Sequence, residues 1–447
     1  MRAPKFLTLY IPFAALCAMP VLGAVPAESP YSVPQPPFYG QVRTRTEFDV
    51  KGMADTVTKK GLLNTQLRTR LGFVAVPSPA VEIKVEVQDV RFMGSEPAAA
   101  PYGTPTSTVG NRAGVDLSQG YFAVEQGPVK TALGRQKMSL GAGRFLSTLE
   151  WSPTSRVFDG WSFNLNLDPG NLTGISYLVR DSSNTLVKEH DLLSGLYYSH
   201  QINPDIVAEV YGFYDQNRIP TIHNGDTTNN YDLQYYGERV AGKLGVFSFE
   251  EEFIYQGGEL LAKTGKEKTS SAYQLATRLG YVNGNYKANV GVDMMSGDDT
   301  PGDDEFHTYR ANYYFAHALY GWMDYFVANP RYGVIDYRID ADLGFLPGPT
   351  GNPRVTLKPA FHYFTPHSPI NTADDPYGSE FNLEAHIAWF PKSNIVLGAG
   401  LFFPGDDAYL LPAASQKFAG APQANLVSKA TTAETGMFLY FMPTFNF

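Results

Sequence analysis

The sequence is short of several things at once. Its 447 residues include one cysteine, Cys17, and four tryptophans. A single thiol excludes an internal disulfide and any centre built from paired cysteines. Nowhere after residue 24 is there a run of some 18 apolar residues, which excludes a transmembrane helix. If the chain enters a membrane, a closed barrel is the one remaining way to satisfy its backbone. Positive charge is scarce too: 35 Lys and Arg stand against 44 Asp and Glu, a net charge of −9, so nucleic acid is not an expected partner. Linkers, charge blocks, low-complexity segments and helix-period repeats are all missing, which points to one large unit.

What is present is aromatic and punctuated. The 28 Tyr and 29 Phe favour strands, and 42 Gly and 32 Pro recur at the short intervals of turns. Between them runs an alternation of period two. Gln41, Arg43, Arg45, Glu47 and Asp49 alternate with Val42, Thr44, Thr46, Phe48 and Val50; Asn64, Gln66, Arg68 and Arg70 alternate with Thr65, Leu67, Thr69 and Leu71. Glu82, Lys84, Glu86 and Gln88 oppose Val81, Ile83, Val85 and Val87. The same pattern sets Asp336, Arg338, Asp340 and Asp342 against Ile335, Tyr337 and Ile339, and Glu380, Asn382, Glu384 and His386 against Phe381, Leu383, Ile387 and Trp389. A soluble sandwich also alternates, but its strands average about five or six residues, and these run to about ten or more.

The first 24 residues read as a secretory signal: Arg2 and Lys5, then the apolar Phe6 to Leu16, then small residues at Gly23 and Ala24. Removing it takes Cys17 with it and leaves 33 basic against 44 acidic residues, a charge of −11. Residues 25–447 are then expected to form an all-β, antiparallel, up-and-down transmembrane barrel with loops folded inward. Short turns at Pro77 to Ala80, Gly127-Pro128, Asp168 to Gly170, Asn203-Pro204, Asn283-Gly284 and Pro391 to Asn394 alternate with longer connections. The longer ones are Met93 to Gly114, Met138 to Ser155, Arg218 to Asn230, Gly297 to Tyr332 and Gly405 to Thr432. Counting on this scheme gives about eighteen strands, with both termini on the short-turn side. His317 to Phe326, an apolar run within the loop Gly297 to Tyr332, reads as a short helix folded back onto the barrel. The chain ends in an aromatic alternating strand closed by Phe447, which resembles the signal by which barrel-assembly machinery recognises outer-membrane barrels.

Three stretches taken together resemble the alginate export family of outer-membrane porins. The first is Gly134-Arg135-Gln136-Lys137-Met138-Ser139-Leu140-Gly141, continuing through Arg144, Trp151, Arg156 and Phe158-Asp159-Gly160. The second is Ser296-Gly297-Asp298-Asp299 with Phe306, His317 and Tyr320-Gly321-Trp322-Met323-Asp324. The third is Gly378-Ser379-Glu380-Phe381-Asn382-Leu383 followed by Phe402-Phe403-Pro404-Gly405. The resemblance implies a monomeric barrel in the outer-membrane lipid, without a cofactor, that passes a small solute, oligosaccharide or polysaccharide by passive diffusion. It does not by itself imply alginate. A conduit for a polyanion calls for a basic lumen, whereas the lumen-phase positions mix Arg43, Arg45, Arg68, Arg70, Lys84, Arg278, Arg338, Arg354 and Lys358 with Glu47, Glu82, Glu86, Glu250, Glu252, Asp336, Asp340, Glu380 and Glu384.

Two groups of candidate site residues follow. Arg43, Arg45, Arg68 and Arg70 fall on adjacent strands and can form a guanidinium ladder, with Arg278, Arg338, Lys358, Asp336 and Glu384 completing the pore lining. A ladder of this kind serves either as a charge filter or as part of an internal ion-pair network. Arg135, Arg144, Arg156 and Asp159 read as pins of a constricting loop. Asp298, Asp299, Asp303, Asp304 and Glu305 supply oxygen ligands but lack the spacing of a calcium loop, so a solvated acidic loop is the expectation and no metal site is assigned. Trp161, Tyr281, Trp389 and Tyr440 are expected in the interfacial aromatic girdles. No Gly-x-Ser-x-Gly elbow accompanies the histidines, so no catalytic residues are assigned. An adhesion barrel with a closed lumen is the alternative function, and conductance discriminates between the two.

Overall fold

The computed structural model describes residues 37–50, 62–93, 115–181, 190–218, 221–223, 226–262, 267–300, 303–317, 319–348, 353–368, 375–408, 411 and 435–447. The expected signal peptide and most of the expected loops 93–114 and 405–432 lie outside this set. The strands are β1 (Phe38–Val50), β2 (Leu62–Ser78), β3 (Val81–Phe92), β4 (Val115–Gln126), β5 (Val129–Gln136), β6 (Phe158–Asn166), β7 (Gly170–Asp181), β8 (His190–Asn203), β9 (Ile206–Asn217) and β10 (Thr221–His223). They continue as β11 (Asp226–Leu244), β12 (Phe247–Ala262), β13 (Glu267–Asn283), β14 (Tyr286–Met295), β15 (Glu305–Phe306), β16 (Val334–Pro347), β17 (Pro353–Thr365), β18 (Gly378–Phe390), β19 (Ser393–Pro404) and β20 (Gly436–Asn446).

Eighteen of these strands close an antiparallel ring. Each barrel strand pairs with the next in chain order, β9 with β11 and β14 with β16, and β20 returns to β1. The three-residue β10 is a hairpin extension of β11, and the two-residue β15 lies parallel to β13. Closure is completed at the last residue. Gly40 and Phe447 exchange backbone hydrogen bonds of 3.0 Å in both directions, and the Phe447 ring lies where a Cβ on residue 40 would stand. With no edge strand left, each barrel strand finds its backbone partners on both sides within the sheet, the condition for crossing a bilayer.

Burial decides which way the alternating faces point. Leu63, Phe247, Leu279 and Ile339 are 59–72% exposed, while Arg43, Arg68, Arg70, Glu252 and Asp336 are nearly or completely buried. That inversion of a soluble protein fits a wall with lipid outside and a polar lumen inside. Trp161, Tyr281 and Trp389 face outward. Tyr440 does not: the phase of β20 turns Phe438, Tyr440 and Thr444 inward and Leu439, Phe441 and Phe445 outward, so Tyr440 is buried in the lumen.

All the expected short turns occur on one side of the ring, joined by two more, at 245–246 and 348–352, the second of which reads Gly348-Pro349-Thr350-Gly351-Asn352. In the first, Gly245 adopts φ +63 between the apolar Leu244 and Phe247, which masks it in the sequence. One connection on the other side, 263–266, is only four residues long, so it is the side of the ring that alternates, with loop length following in the other cases.

The helix expected at His317 to Phe326 does not form among the described residues. Gly321 and Asp324 take φ +80 and +61, off the helical path. The amide N–H groups of Trp322 and Met323 instead donate to Glu380 Oε1 on the wall, at 2.5 and 3.0 Å. Apolar side chains here find their core in the lumen without a helix. Ring closure predicts that Thr46→Cys with Phe441→Cys, paired across β1 and β20, will crosslink under mild oxidation, since paired antiparallel residues stand about 4.5–5.5 Å apart. A reducible mobility shift on denaturing gels is expected; failure of the pair to crosslink in folded protein refutes the seam.

Candidate functional site

Two loops on the long-loop side turn inward and fill much of the lumen. The first, residues 137–157 between β5 and β6, runs right across it. On one wall, Arg144 is completely buried and faces Asp293 at 3.3 Å, Glu252 at 3.5 Å and Glu250 at 3.8 Å, on β14 and β12. Arg239, Arg278 and Arg338 share those acids: Arg239 Nε lies 3.4 Å from Glu250, with its Nη1 2.7 Å from Glu209 as well, and Arg278 Nη2 is 2.7 Å and Arg338 Nη1 3.9 Å from Asp293. Removing one partner from such a buried network costs about 3–5 kcal/mol, because the remaining charges are left uncompensated.

Across the ring, the tip of the same loop meets the arginine ladder. Arg43 and Arg68 face each other across the β1–β2 pair. Arg43 donates to the carbonyls of Glu150 (2.7 Å), Trp151 (3.3 Å) and Ser152 (2.9 Å), and Arg45 to that of Trp151 at 2.5 Å. Arg70 Nη1 donates to Glu150 Oε2 at 2.7 Å, with Arg68 3.2 Å from the same oxygen and Lys137 Nζ 3.2 Å from Oε1. Arg45 also stacks 4.2 Å over the Trp151 ring, whose other contacts are His317, stacked at 3.7 Å, and Tyr440. The ladder thus grips a loop, through carbonyls as much as through charge. Burial raises the Glu150 carboxyl, but Arg70, Lys137 and Arg68 outweigh it and hold the group below its ordinary range.

The second inward loop, residues 296–333, is zipped to the first. Ser147 N donates to Tyr313 O at 2.9 Å and Phe315 N to Gly143 O at 2.8 Å. Arg156 Nη1 donates to Ser147 O at 3.0 Å, to Tyr314 O at 3.4 Å and to Tyr313 O. Asp324 accepts from Trp151 Nε1 at 3.3 Å and lies 3.1 Å from His317 Nδ1. Aromatic side chains of both loops, among them Phe145, Tyr309, Tyr313, Tyr320 and Phe326, pack with inward-facing wall residues such as Tyr177, Leu193, Phe213 and Tyr235 into one core. A barrel lumen here holds a core of the kind a soluble domain has.

Most expected site residues are where the alternation put them. Arg43, Arg45, Arg68 and Arg70 converge; Arg278 and Arg338 join the acidic wall; Asp336 meets His362 at 2.8 Å, Lys358 lies 3.5 Å from Asp342, and Glu384 contacts His386 at 2.7 Å and Tyr440. Arg144 joins its loop to wall carboxylates, whereas Arg156 joins it to carbonyls of the second loop and not to the carboxylates expected. Arg135 and Asp159 are not loop pins. They form a two-pronged pair, 2.7 and 2.6 Å, between directly opposed positions of β5 and β6. They share the outward phase of Leu133 and Trp161, because β5 runs to Gln136 and β6 starts at Phe158. The acidic stretch turns on itself: Asp298 caps Thr300 N at 3.0 Å and Asp303 caps Glu305 N at 3.0 Å. Among the described residues no three His, Cys, Asp or Glu side chains converge as a metal site. The sequence reading missed the roles of Glu150 and Lys137. Glu150 is the only acid between residues 137 and 157, amid Lys137, Arg144 and Arg156, which was the available signal.

The alginate export family matches residues 37–329, about two thirds of the chain. The chain belongs to the alginate export family. No curated protein matches this family member. Its fold is similar to OccAB1 of Acinetobacter baumannii (TM-score 0.58, 12% identity, 92% of this chain and 96% of that one) and to a BenF-like porin of Pseudomonas fluorescens Pf-5 (0.57, 10%, 92% and 97%). It is also similar to Pseudomonas aeruginosa OpdK with vanillate (0.55, 9%, 92% and 98%). This member of the alginate export family is therefore an outer-membrane barrel of porin architecture.

The loop contacts have two measurable consequences. Arg156→Ala removes the pin between the loops, weakening their anchoring by about 2–4 kcal/mol, and is expected to make conductance larger and noisier in a barrel that still folds. An unchanged conductance trace argues against the pin. Because the Glu150 carboxyl is held low, its grip on Arg68, Arg70 and Lys137 is present at neutral pH and lost only as pH falls below the ordinary glutamate range. Arg43 and Arg45 on β1 still hold the carbonyls of residues 150–152 and Glu86 on β3 accepts from Lys137 at 2.8 Å, so acid should free the Glu150 side chain while the loop backbone stays anchored. Current fluctuations recorded between neutral and strongly acidic pH are expected to rise only at the acid end, and to lose that rise in Glu150→Gln.

Proposed function

We propose that this barrel is a passive, selective diffusion channel for small solutes, saccharides included, narrowed by its two joined loops and biased toward anions on the β1–β2 side. The observation that carries this reading is an excess of positive charge on one wall of the lumen. Arg43, Arg45, Arg68 and Arg70 crowd β1 and β2, while Glu209, Glu250, Glu252 and Asp293 on the opposite wall are matched by Arg144, Arg239, Arg278 and Arg338. A local positive potential of that kind sorts charged solutes in a narrow aqueous path. Vanillate, in the OpdK structure, is a carboxylate, which is consistent with anion passage through this architecture. Export by a cleaved signal peptide, a monomeric state and recognition of the Phe447 strand by the assembly machinery complete the proposal.

One observation favours a second reading. The aromatic core that the loops build inside the lumen is what a plugged adhesion or binding barrel would also have. Conductance separates the two. Mature protein in planar bilayers is expected to show open channels, and replacing Arg43, Arg45, Arg68 and Arg70 by Ser should reduce their anion preference. Folded but electrically silent protein would favour the closed barrel.

A further inference from the structure

We infer that Arg68, Arg70 and Lys137 form a carboxylate-binding subsite in the lumen, filled here by the chain's own Glu150, which a carboxylate on a passing solute displaces. The inference deepens the diffusion-channel reading and rests on it. Glu150 is thus an internal competitor for the site.

Four features of the site support this. The receptor groups are fixed before any ligand arrives. Arg68 and Arg70 are 3% and 5% exposed; Arg68 donates to Gln41 Oε1 through Nε at 3.0 Å and Nη2 at 2.6 Å, and Arg70 Nε to Gln88 Oε1 at 2.6 Å. Neutral amides orient these guanidinium groups without cancelling their charge. Glu150, by contrast, keeps 42% of its side chain exposed, so the bound carboxylate is open to exchange with solution.

The grip of Glu150 is also incomplete. Arg70 offers a fork, yet only Nη1 reaches the carboxylate; its buried Nη2 has no hydrogen-bond partner among the described residues. A carboxylate free of the loop can take both prongs, the arrangement in which arginine binds it best. Charge balance points the same way. Arg45 is matched by Glu47 at 2.7 Å, but Arg43, Arg68, Arg70 and Lys137 face only Glu86 and Glu150, leaving two positive charges over among the described side chains. Finally, the loop tip does not depend on its carboxylate. Arg43 and Arg45 hold the carbonyls of residues 150–152, so the Glu150 side chain can leave while the backbone stays anchored.

Trp151, the next residue, is a built-in reporter. The full-length barrel in detergent is titrated with gluconate, and with sorbitol as the neutral molecule of the same size, while tryptophan emission is followed; Trp151→Phe identifies the responding residue. At about 0.3 M salt, where fields beyond a few ångström are screened, Glu150→Gln should bind gluconate about tenfold more tightly than the unaltered chain, the size of one charge-assisted hydrogen bond. Arg70→Ser should lose the response, Arg135→Gln on the outer wall should keep it, and sorbitol should give none. Equal gluconate affinity in the unaltered chain and in Glu150→Gln overturns the inference, as does a response to sorbitol. Bilayer recordings on the same samples separate the two claims. Conducting channels without the tightening refute the subsite alone, whereas tightening in a silent barrel refutes the diffusion reading and leaves the subsite standing.

Discussion

In lipid a peptide group has no water to turn to, and the whole structure follows from satisfying that group between strands. The decisive bonds are those of the ladder between β1 and β20, ending in the pair between Gly40 and Phe447, which convert a long sheet into a ring. Once the ring is shut, alternation is no longer a choice. Every second residue meets lipid and every other one meets the lumen, so the apolar phase of each strand is outside and the charged phase is within. A glycine at position 40 and a phenylalanine at the last position are what make the final contact fit.

Closure creates a second problem, a lumen crowded with ionised side chains. Loop residues supply the counter-charges and acceptors. Arg144 enters among Glu250, Glu252 and Asp293, and the carbonyls of residues 150–152 enter among the arginines of β1 and β2. The loops are held by these polar ends and by an aromatic core between them, which is why they cross the lumen and do not lie over the rim. The same groups that stabilise the loops set the field a solute would experience. The two kinds of contact that the arginine ladder makes differ: carbonyl contacts of Arg43 and Arg45 hold the loop backbone, while the Glu150 side chain that Arg68 and Arg70 meet faces solution.

Much of the barrel was legible because its rule is local. Period-two alternation, the turn residues and the side on which they fall give the strand number and the lumen phase of Arg43, Arg68, Asp336 and Glu384 without any long-range information. Where the expectation and the structure part, strand phase at the strand ends is the reason. Strand continues through Arg135 and Asp159, which makes them a wall pair and not loop pins, and Phe441 takes the lipid side of β20, which turns its neighbour Tyr440 into the lumen. The helix expected at 317–326 failed for a different reason: apolarity there answers to a tertiary core, and Gly321 and Asp324 bend the backbone toward Glu380.

By itself the sequence determined the membrane-crossing mode, the strand rhythm and the two-faced wall, because each depends on neighbours one or two residues apart and on the cost of an unsatisfied backbone in lipid. Only the tertiary structure decided which loop carbonyls meet the arginines, that Arg156 ties one loop to the other, and that Glu150 occupies the basic site. The arginines of β1 and β2 and Arg156 lie 80 to 157 residues from the partners they meet on another segment, and nothing local specifies which of many acids and bases sharing one lumen come within hydrogen-bonding distance.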